Sequence, residues 1–429
     1  MSIQIRIVER ECEVEAVPLA GPLQRSVGVV RKCAELGLWA ELSERAHLRR
    51  RAGSYEMVDV AAFLVAYFAS GSCSGLKKFG AMTQGSAGAG LAALSGRHRW
   101  MVQSGVSRAL SAVCVDCLTE VIGVLRELWP KALALHDLCA LGHRDAFGQT
   151  WQAFHFDGSV IPVRQRELPK GDDMPNARRR ASRIATAGHA GRKRAEAVVQ
   201  RAMTQQAHTG WWGAASVEPG NGDLKRMALA GAVAATAHAS TPGSGVRAVL
   251  VSDGGSGGWA PLRAAIASGM HGLTRCSVYS WLDQPAIQHQ LCAGPWFAVT
   301  DSGSGPTRSA MELGTWEDAG GHIYRLIISR FKASDAKTKR GGAGRRIGDE
   351  HYELFLTDLP ADGWPASDIV QLYYDRCGQE TRFAALNQRY GLGRIFSFHP
   401  EGQMLVTLVA LMVWNIEVLL GAERLGPWS

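Results

Sequence analysis

Long apolar runs are scarce in this sequence, and the marks of secretion are missing. The first ten residues, MSIQIRIVER, place charges where a signal peptide needs a continuous apolar core, so export is not expected. The most apolar stretch, residues 404–414, is shorter than a bilayer requires and runs into Asn415 and Glu417, which favours a buried C-terminal helix and no membrane partner. Cysteine is sparse and odd in number, nine residues scattered from Cys12 to Cys377, which suits reduced thiols in a cytoplasmic protein and not a disulfide framework. A single CxxC occurs, Cys114-Val-Asp-Cys117, without a second CxxC or histidines at zinc-finger spacing, and it reads as two thiols on a helix face before it reads as zinc. No internal repeat is visible.

What is there fits a globular chain of two or three domains: 429 residues, 46% hydrophobic and 20% charged. The 47 Lys+Arg against 39 Asp+Glu leave a net charge of +8, which suits a polyanion such as nucleic acid without requiring one. Strand signals are absent between residues 24 and 141, where apolar residues recur at helical spacing, so residues 1–148 are expected to form an all-helical N-terminal domain. Glycine and serine clusters at 69–75 and 85–90 should interrupt these helices, the second as a mobile loop.

From Trp151 the texture changes to strands. Residues 154–163 are β-rich and carry Asp157; residues 195–207 and 211–217 read as a hairpin turning at 208–210. Asp223 can cap a helix to about 235. The apolar run 246–252 has buried-strand length and delivers Asp253 at its carboxyl end, where open α/β sheets place their chemistry. A helix over 261–268, a strand over 273–281, and β-like segments at 297–300, 323–330 and 352–357 follow, the last two separated by a basic loop at 332–346. Helices at 367–390 and 402–420 end the chain.

The segment Tyr373-Tyr-Asp-Arg376-Cys-Gly-Gln-Glu380 puts Tyr373, Arg376 and Glu380 at i, i+3 and i+7, one stripe of a helix, with Leu372, Phe383 and Leu386 on the adjoining apolar strip. A charged stripe is usually a solvated face; here it can face a cleft while the apolar strip packs on a sheet. The segment resembles the Tyr-x2-Arg-x3-Glu-x6-Lys signature of bacterial insertion-sequence transposases of the DDE type, with Asn387 where the family has lysine. The order of strands and acidic residues is similar to that family too, as is the pattern Asp253-Gly-Gly255, although its aromatic, Trp259, comes one place late.

The resemblance implies an α/β fold, an RNase H-like catalytic core over residues 149–429 with a β-rich insertion at about 292–362. It implies Asp157, Asp253 and Glu380 as catalytic and metal-binding acids for two Mg²⁺ or Mn²⁺ ions, with carboxylate oxygens suited to such hard cations. Tyr373, Arg376 and Arg389, or Arg382 in its stead, would contact DNA. The expected reaction frees a 3′-hydroxyl at the element end and uses it to attack a target phosphodiester. The expected partners are double-stranded DNA, terminal inverted repeats and target alike, and a second copy of the chain in a homodimer.

Basic stretches at Arg178–Arg180 with Arg183, at Arg192, Lys193 and Arg194, and at 337–346 are further phosphate candidates, each equally readable as a solvated loop. Ser104, Ser107 and Arg108 are candidates on the N-terminal helices. Trp316 is expected in a core before a base-stacking site, and His155 on a strand before a metal. Asp301, after another apolar strand, competes with Asp253. Residues 255–260 fit GxGxxA with Asp283 as a ribose acid, so an NAD-dependent Rossmann oxidoreductase is the alternative, but it leaves the Tyr373, Arg376, Glu380 stripe unexplained. A catalytically inactive DNA-binding relative is the third reading.

Overall fold

The computed structural model describes residues 21–48, 55–71, 75–135, 142–163, 184–190, 193–220, 247–253, 259–300, 306–335 and 344–425, together with residues 227, 229 and 231 and short strand pairs within 4–18. One large mixed sheet organises it. Its strands are β1 (His143–Arg144), β2 (Thr150–Pro162), β3 (Thr186–Ala190), β4 (Lys193–Gln206), β5 (Trp212–Pro219), β6 (Arg247–Ser252), β7 (His271–Cys276), β8 (Phe297–Ala298), β9 (Ser309–Glu317), β10 (Ile323–Lys332), β11 (Arg345–Ile347) and β12 (Glu350–Thr357).

The spatial order is β8-β9-β10-β12-β7-β6-β2-β4-β3, with β5 also pairing β4, β1 pairing β2 and β11 pairing β12. At the centre β2, β6 and β7 run parallel, Ser252 lying opposite Phe156 on one side and Thr274 on the other. All neighbours outward from this trio are antiparallel. The apolar run of β6 is explained by this position: a strand between two parallel neighbours is covered on both faces.

Period-2 alternation then divides the side chains. One face carries Trp151, Ala153, Val249, Val251, Leu273 and Phe355, buried under helix α10 (Ala366–Asp375) through Ile369, Val370 and Tyr373. The opposite face carries Phe154, Phe156, Ala248 and Leu250 against Ala264 and Ala265 of α8 (Trp259–Ala267).

A helical layer packs beside the sheet: α1 (Gly21–Glu35), α2 (Leu38–Arg45), α3 (Met57–Ala69), α4 (Leu76–Met82), α5 (Ser86–Leu94), α6 (Gln103–Leu110), α7 (Val115–Leu135) and the C-terminal α12 (Pro400–Leu425). In the chain α9 (Pro285–Ala293) lies between β7 and β8, and α11 (Cys377–Tyr390) between α10 and α12. All thirteen residues of α3 are buried, as a helix apolar on every side requires. Its one acid, Asp59, is paired with Arg97 at 2.7 Å and accepts the Glu56 amide at 2.7 Å. Helices α1–α7, α12, the end of α11 and Trp211 and Trp212 share one apolar core. Gly402 lets α12 approach α6: a Cβ there would lie 2.1 Å from the Leu110 carbonyl oxygen, a backbone atom that cannot rotate away. Gly402→Ala is expected to destabilise by about 1–3 kcal/mol, the range for overpacking, read as a lowered denaturant midpoint.

Several expectations are corrected. Residues 85–90 do not form a loop: α5 starts at Ser86, buries Leu91 and Ala92, and uses Gly88 where a Cβ would strike the Thr83 carbonyl at 2.1 Å and Trp100 at 3.0 Å. Strand β7 ends at Cys276, and a 3-10 turn occupies Tyr279–Asp283 where more strand was expected. The helix expected over 367–390 is divided at Arg376, whose amide reaches back to the Tyr373 carbonyl at 3.3 Å, with Gly378, a poor helix former, just beyond. It ends where Gly391 takes φ 65°, a left-handed C-cap. The apolar part of α12 extends over Pro400–Gly421, long and apolar enough to cross a membrane by length and composition, and two-thirds of it is buried inside the protein. The helix expected over 223–235 lies outside the described residues except for Met227, Leu229 and Gly231, which are helical.

Candidate active site

The sheet face under α10 changes character at the carboxyl ends of its central strands. Apolar positions 151 and 153 on β2 give way to His155 and Asp157; 249 and 251 on β6 to Asp253; 273 on β7 to Arg275. On antiparallel β12 the same row is reached at Glu353, next but one to Phe355. Because β2 and β6 pair Phe156 with Ser252, Asp157 and Asp253 follow side by side on adjacent strand ends. α10 lies across this row and delivers Tyr373 and, at its end, Arg376.

The contacts are specific. Arg376 Nη1 donates to Asp157 Oδ2 at 2.8 Å, and the Gly158 amide donates to Asp157 Oδ1 at 2.7 Å. Arg275 Nη2 donates to Asp253 Oδ1 at 2.9 Å, and the Tyr373 hydroxyl donates to the same oxygen at 3.3 Å. Beyond Arg275, Glu353 is buried, lies 3.9 Å from Arg275 and 3.5 Å from Arg308, and accepts a hydrogen bond from Tyr374. Acids and guanidiniums therefore alternate along the row.

Electrostatics follow from this crowding. Burial pushes the Asp157 carboxyl above its ordinary value, opposed by Arg376 and the Gly158 amide and reinforced by neighbouring Asp253. Burial works against the Arg376 charge, but Tyr373, Asp157 and Asp253 hold its pKa above the ordinary arginine value. The Tyr373 phenol is raised, chiefly by burial. Two adjacent carboxylates at a partly buried strand end form a centre of negative charge that requires cations, which the two guanidiniums supply here. Carboxylate oxygens of this kind fit a hard divalent ion.

Glu380 lies in α11, four residues beyond Arg376, with its backbone alone described. Among the described residues no group of three His, Cys, Asp or Glu is gathered as a metal set. Arg389 is not brought to the site; its guanidinium bonds Glu417 on α12 at 2.6 Å. Arg382 instead ties down the β4–β5 turn, donating to the Ala207 carbonyl at 3.0 Å. Lys193 and Arg194 open β4, three strands of the sheet path from β7; Arg192 and Asp301 lie outside the described residues, as do Arg178–Arg180 and Arg183. The strand before Asp301, β8, is the far edge of the sheet, six strands along the path from β2. Ser104, Ser107 and Arg108 are exposed on α6. Trp316 packs with Trp259, ring centroids 4.2 Å apart, and with Trp281 and Tyr324. His155 is buried in the sheet face. Asp283 is held by Arg345 at 2.6 Å, and most of the GxGxxA segment lies outside the described residues.

Asn387 has an occupation of its own. Its side-chain oxygen accepts from Arg201 Nη2 at 3.0 Å, and Arg201, fully buried on β4, also donates to the Leu392 carbonyl at 3.1 Å. Burial lowers the Arg201 pKa to about 10. A lysine at 387 would set a second cation against this one. Asn387→Lys is expected to lower stability by about 2 kcal/mol, the scale of a lost hydrogen bond to a charged group, and Arg201→Met in the same chain should recover much of it in a double-mutant cycle.

Arg275, Glu353, Arg308 and Tyr374 escaped the sequence reading. A glutamate amid the apolar strand residues of 350–357 was the available signal for one of them; the others become visible only once the strands are laid side by side.

The fold and the row define a mixed α/β protein with an acidic, arginine-bridged site at the carboxyl ends of a central parallel trio. No family model matches this chain, and no curated protein matches it. Among solved structures, it is similar to the cryo-EM structure of a piggyBac transposase synaptic complex with hairpin DNA, at TM-score 0.36 and 11% identity over 95% of this chain and 75% of that chain. A likeness this loose assigns neither family nor function.

Proposed function

We propose that the chain is a DDE-type DNA transposase that cleaves and rejoins DNA at a divalent-metal site formed by Asp157, Asp253 and Glu380. The observation that carries this reading is the meeting of four residues remote in sequence: Asp157 with Arg376, and Asp253 with Tyr373. Two are strand-end acids, and two belong to the signature-like segment on α10. The strand order β5-β4-β2-β6-β7, with β4 antiparallel to β2 and the last three parallel, supports an RNase H-like core. The antiparallel strands β8–β12 would be its insertion.

Asp157 and Asp253 would hold the metal from adjacent strand ends, with Glu380 joining them from α11. Bound Mg²⁺ or Mn²⁺ supplies activation of an attacking oxygen and charge stabilisation of a leaving one. Arg376 and Arg275, now paired with the acids, would turn to non-bridging phosphate oxygens as DNA enters, a charge-assisted exchange of one oxyanion for another. Tyr373 orients Asp253 through its hydroxyl. Buried walls of Trp151, Val251 and Phe355 beneath the row keep it rigid.

The test is cleavage of supercoiled and element-end DNA with Mg²⁺, Mn²⁺ or EDTA. Metal-dependent nicking that generates 3′-hydroxyl ends, with binding that falls steeply with salt at a log-log slope of about −0.9 per phosphate neutralised, is expected. A salt-independent affinity, or absence of cleavage with every divalent metal, would count against the proposal.

A further inference from the structure

The CxxC at the head of α7 takes no part in the acidic row. Cys114 directly precedes the helix, and its carbonyl accepts the Leu118 amide at 3.1 Å, so it stands at the N-cap; Cys117 lies one turn further on. Their sulfurs are 3.0 Å apart. Cys114 is half-buried, whereas Cys117 is buried and its Sγ donates to the His47 carbonyl at 3.0 Å. The His47 amide is in turn held by the Glu120 carboxylate at 3.0 Å. One accessible sulfur therefore sits in contact with one enclosed sulfur.

The two thiols are also chemically unequal to the rest. The Cys114 thiol is pushed below its ordinary value by the Cys117 side chain, then by the Cys117 and Asp116 amides at the helix start. Burial pushes Cys33 and Cys276 the other way. Among the described residues no third His, Cys, Asp or Glu joins the pair to complete a metal set. A half-buried thiol that touches a second thiol, with its pKa lowered from the ordinary value, is placed for exchange.

We propose that Cys114 and Cys117 form a redox-active dithiol that reacts with low-molecular-weight disulfides such as oxidised glutathione. The Cys114 thiolate attacks one sulfur of the small disulfide, forming a mixed disulfide and releasing one thiolate. The Cys117 thiol gives its proton to solvent and attacks Cys114 Sγ, displacing the second thiolate. Two electrons pass from the dithiol to the small disulfide, which leaves as two thiols. Closing the bond draws the sulfurs together by about 1 Å, to the usual length of about 2.05 Å. It also removes the S–H that holds the His47 carbonyl, loosening one of the two ties from His47 to α7 while the Glu120 carboxylate keeps the His47 amide.

The test uses the full chain in buffers of graded oxidised-to-reduced glutathione ratio, quenched with a maleimide and mapped by peptide mass. In the wild type a Cys114–Cys117 disulfide should form and reverse with the ratio, while the exposed Cys292 remains alkylated. Cys117→Ser should accumulate one glutathione on Cys114, and Cys114→Ser should take up none at Cys117. The proposal is overturned if both thiols stay reduced in excess oxidised glutathione, if Cys114 is alkylated no faster than Cys292 in the native protein, or if stoichiometric zinc is bound and lost in both variants.

Discussion

Asp157→Asn and Asp253→Asn are each expected to reduce Mg²⁺-dependent DNA cleavage by on the order of 10³-fold. A metal's stabilisation of transition-state charge is worth several kcal/mol, and about 1.4 kcal/mol corresponds to tenfold in rate. The same substitutions should leave the fold intact. Asparagine keeps the shape and one acceptor oxygen, which at 253 serves both Arg275 and Tyr373 and at 157 serves Arg376 but not also the Gly158 amide. At Asp157 it removes a charge that burial and Asp253 oppose, but it leaves the buried Arg376 without its counter-charge, so the melting temperature of Asp157→Asn should fall, by less than that of Arg376→Ala. Gel-based cleavage assays beside thermal melts of the same preparations make the check. Retention of full activity by either variant would remove that acid from the site, and loss of the folded state would reassign its role to structure.

The second large effect is expected from Arg376→Ala. It strips Asp157 of the guanidinium 2.8 Å away while the carboxyl stays mostly buried, its side chain 22% exposed. Removing one partner of a buried pair costs about 3–5 kcal/mol, and the partial exposure here reduces that to about 2–3 kcal/mol at neutral pH. The pH dependence has a definite sign. The Asp157 pKa is already raised in the folded state, so its stabilising contribution is full below the unfolded value and is lost as pH rises through the folded one. Without Arg376 the folded value climbs further. The variant's deficit should therefore shrink on acidification and widen toward neutrality, and the acid limb of its residual cleavage activity should move to higher pH. Melts and pH–rate profiles running parallel to those of the wild type would show that the pair is not coupled.

Much of the sheet was legible because strand patterning is local. The apolar run 246–252 has the length of a buried strand, and an acid just after such a strand emerges at the sheet's carboxyl edge. The i, i+3 spacing of Tyr373 and Arg376 likewise survives the break between α10 and α11, since Arg376 keeps helical torsions of −58° and −27°. What local pattern cannot carry is pairing across the chain. Arg275 looked like one charge in an ordinary strand, and only the parallel register of β6 and β7 places it beside Asp253. Arg389 could stand in for the signature lysine by its position in the sequence, yet α12 offers it Glu417. Asn387 looked like a defect in a signature, whereas it answers a buried arginine contributed by β4. The 85–90 segment was misread because its glycines were taken as breakers, when close packing against Trp100 and the Thr83 carbonyl is what requires one of them.

The central claim is that Asp157 and Asp253 jointly hold divalent metal. Mn²⁺ binding followed by electron paramagnetic resonance on the wild type and on Asp157→Asn/Asp253→Asn, without DNA, addresses it most directly. Bound Mn²⁺ in the wild type that competes with Mg²⁺ and is lost in the double variant is the predicted result; equal binding by the two proteins, or none by either, would contradict it.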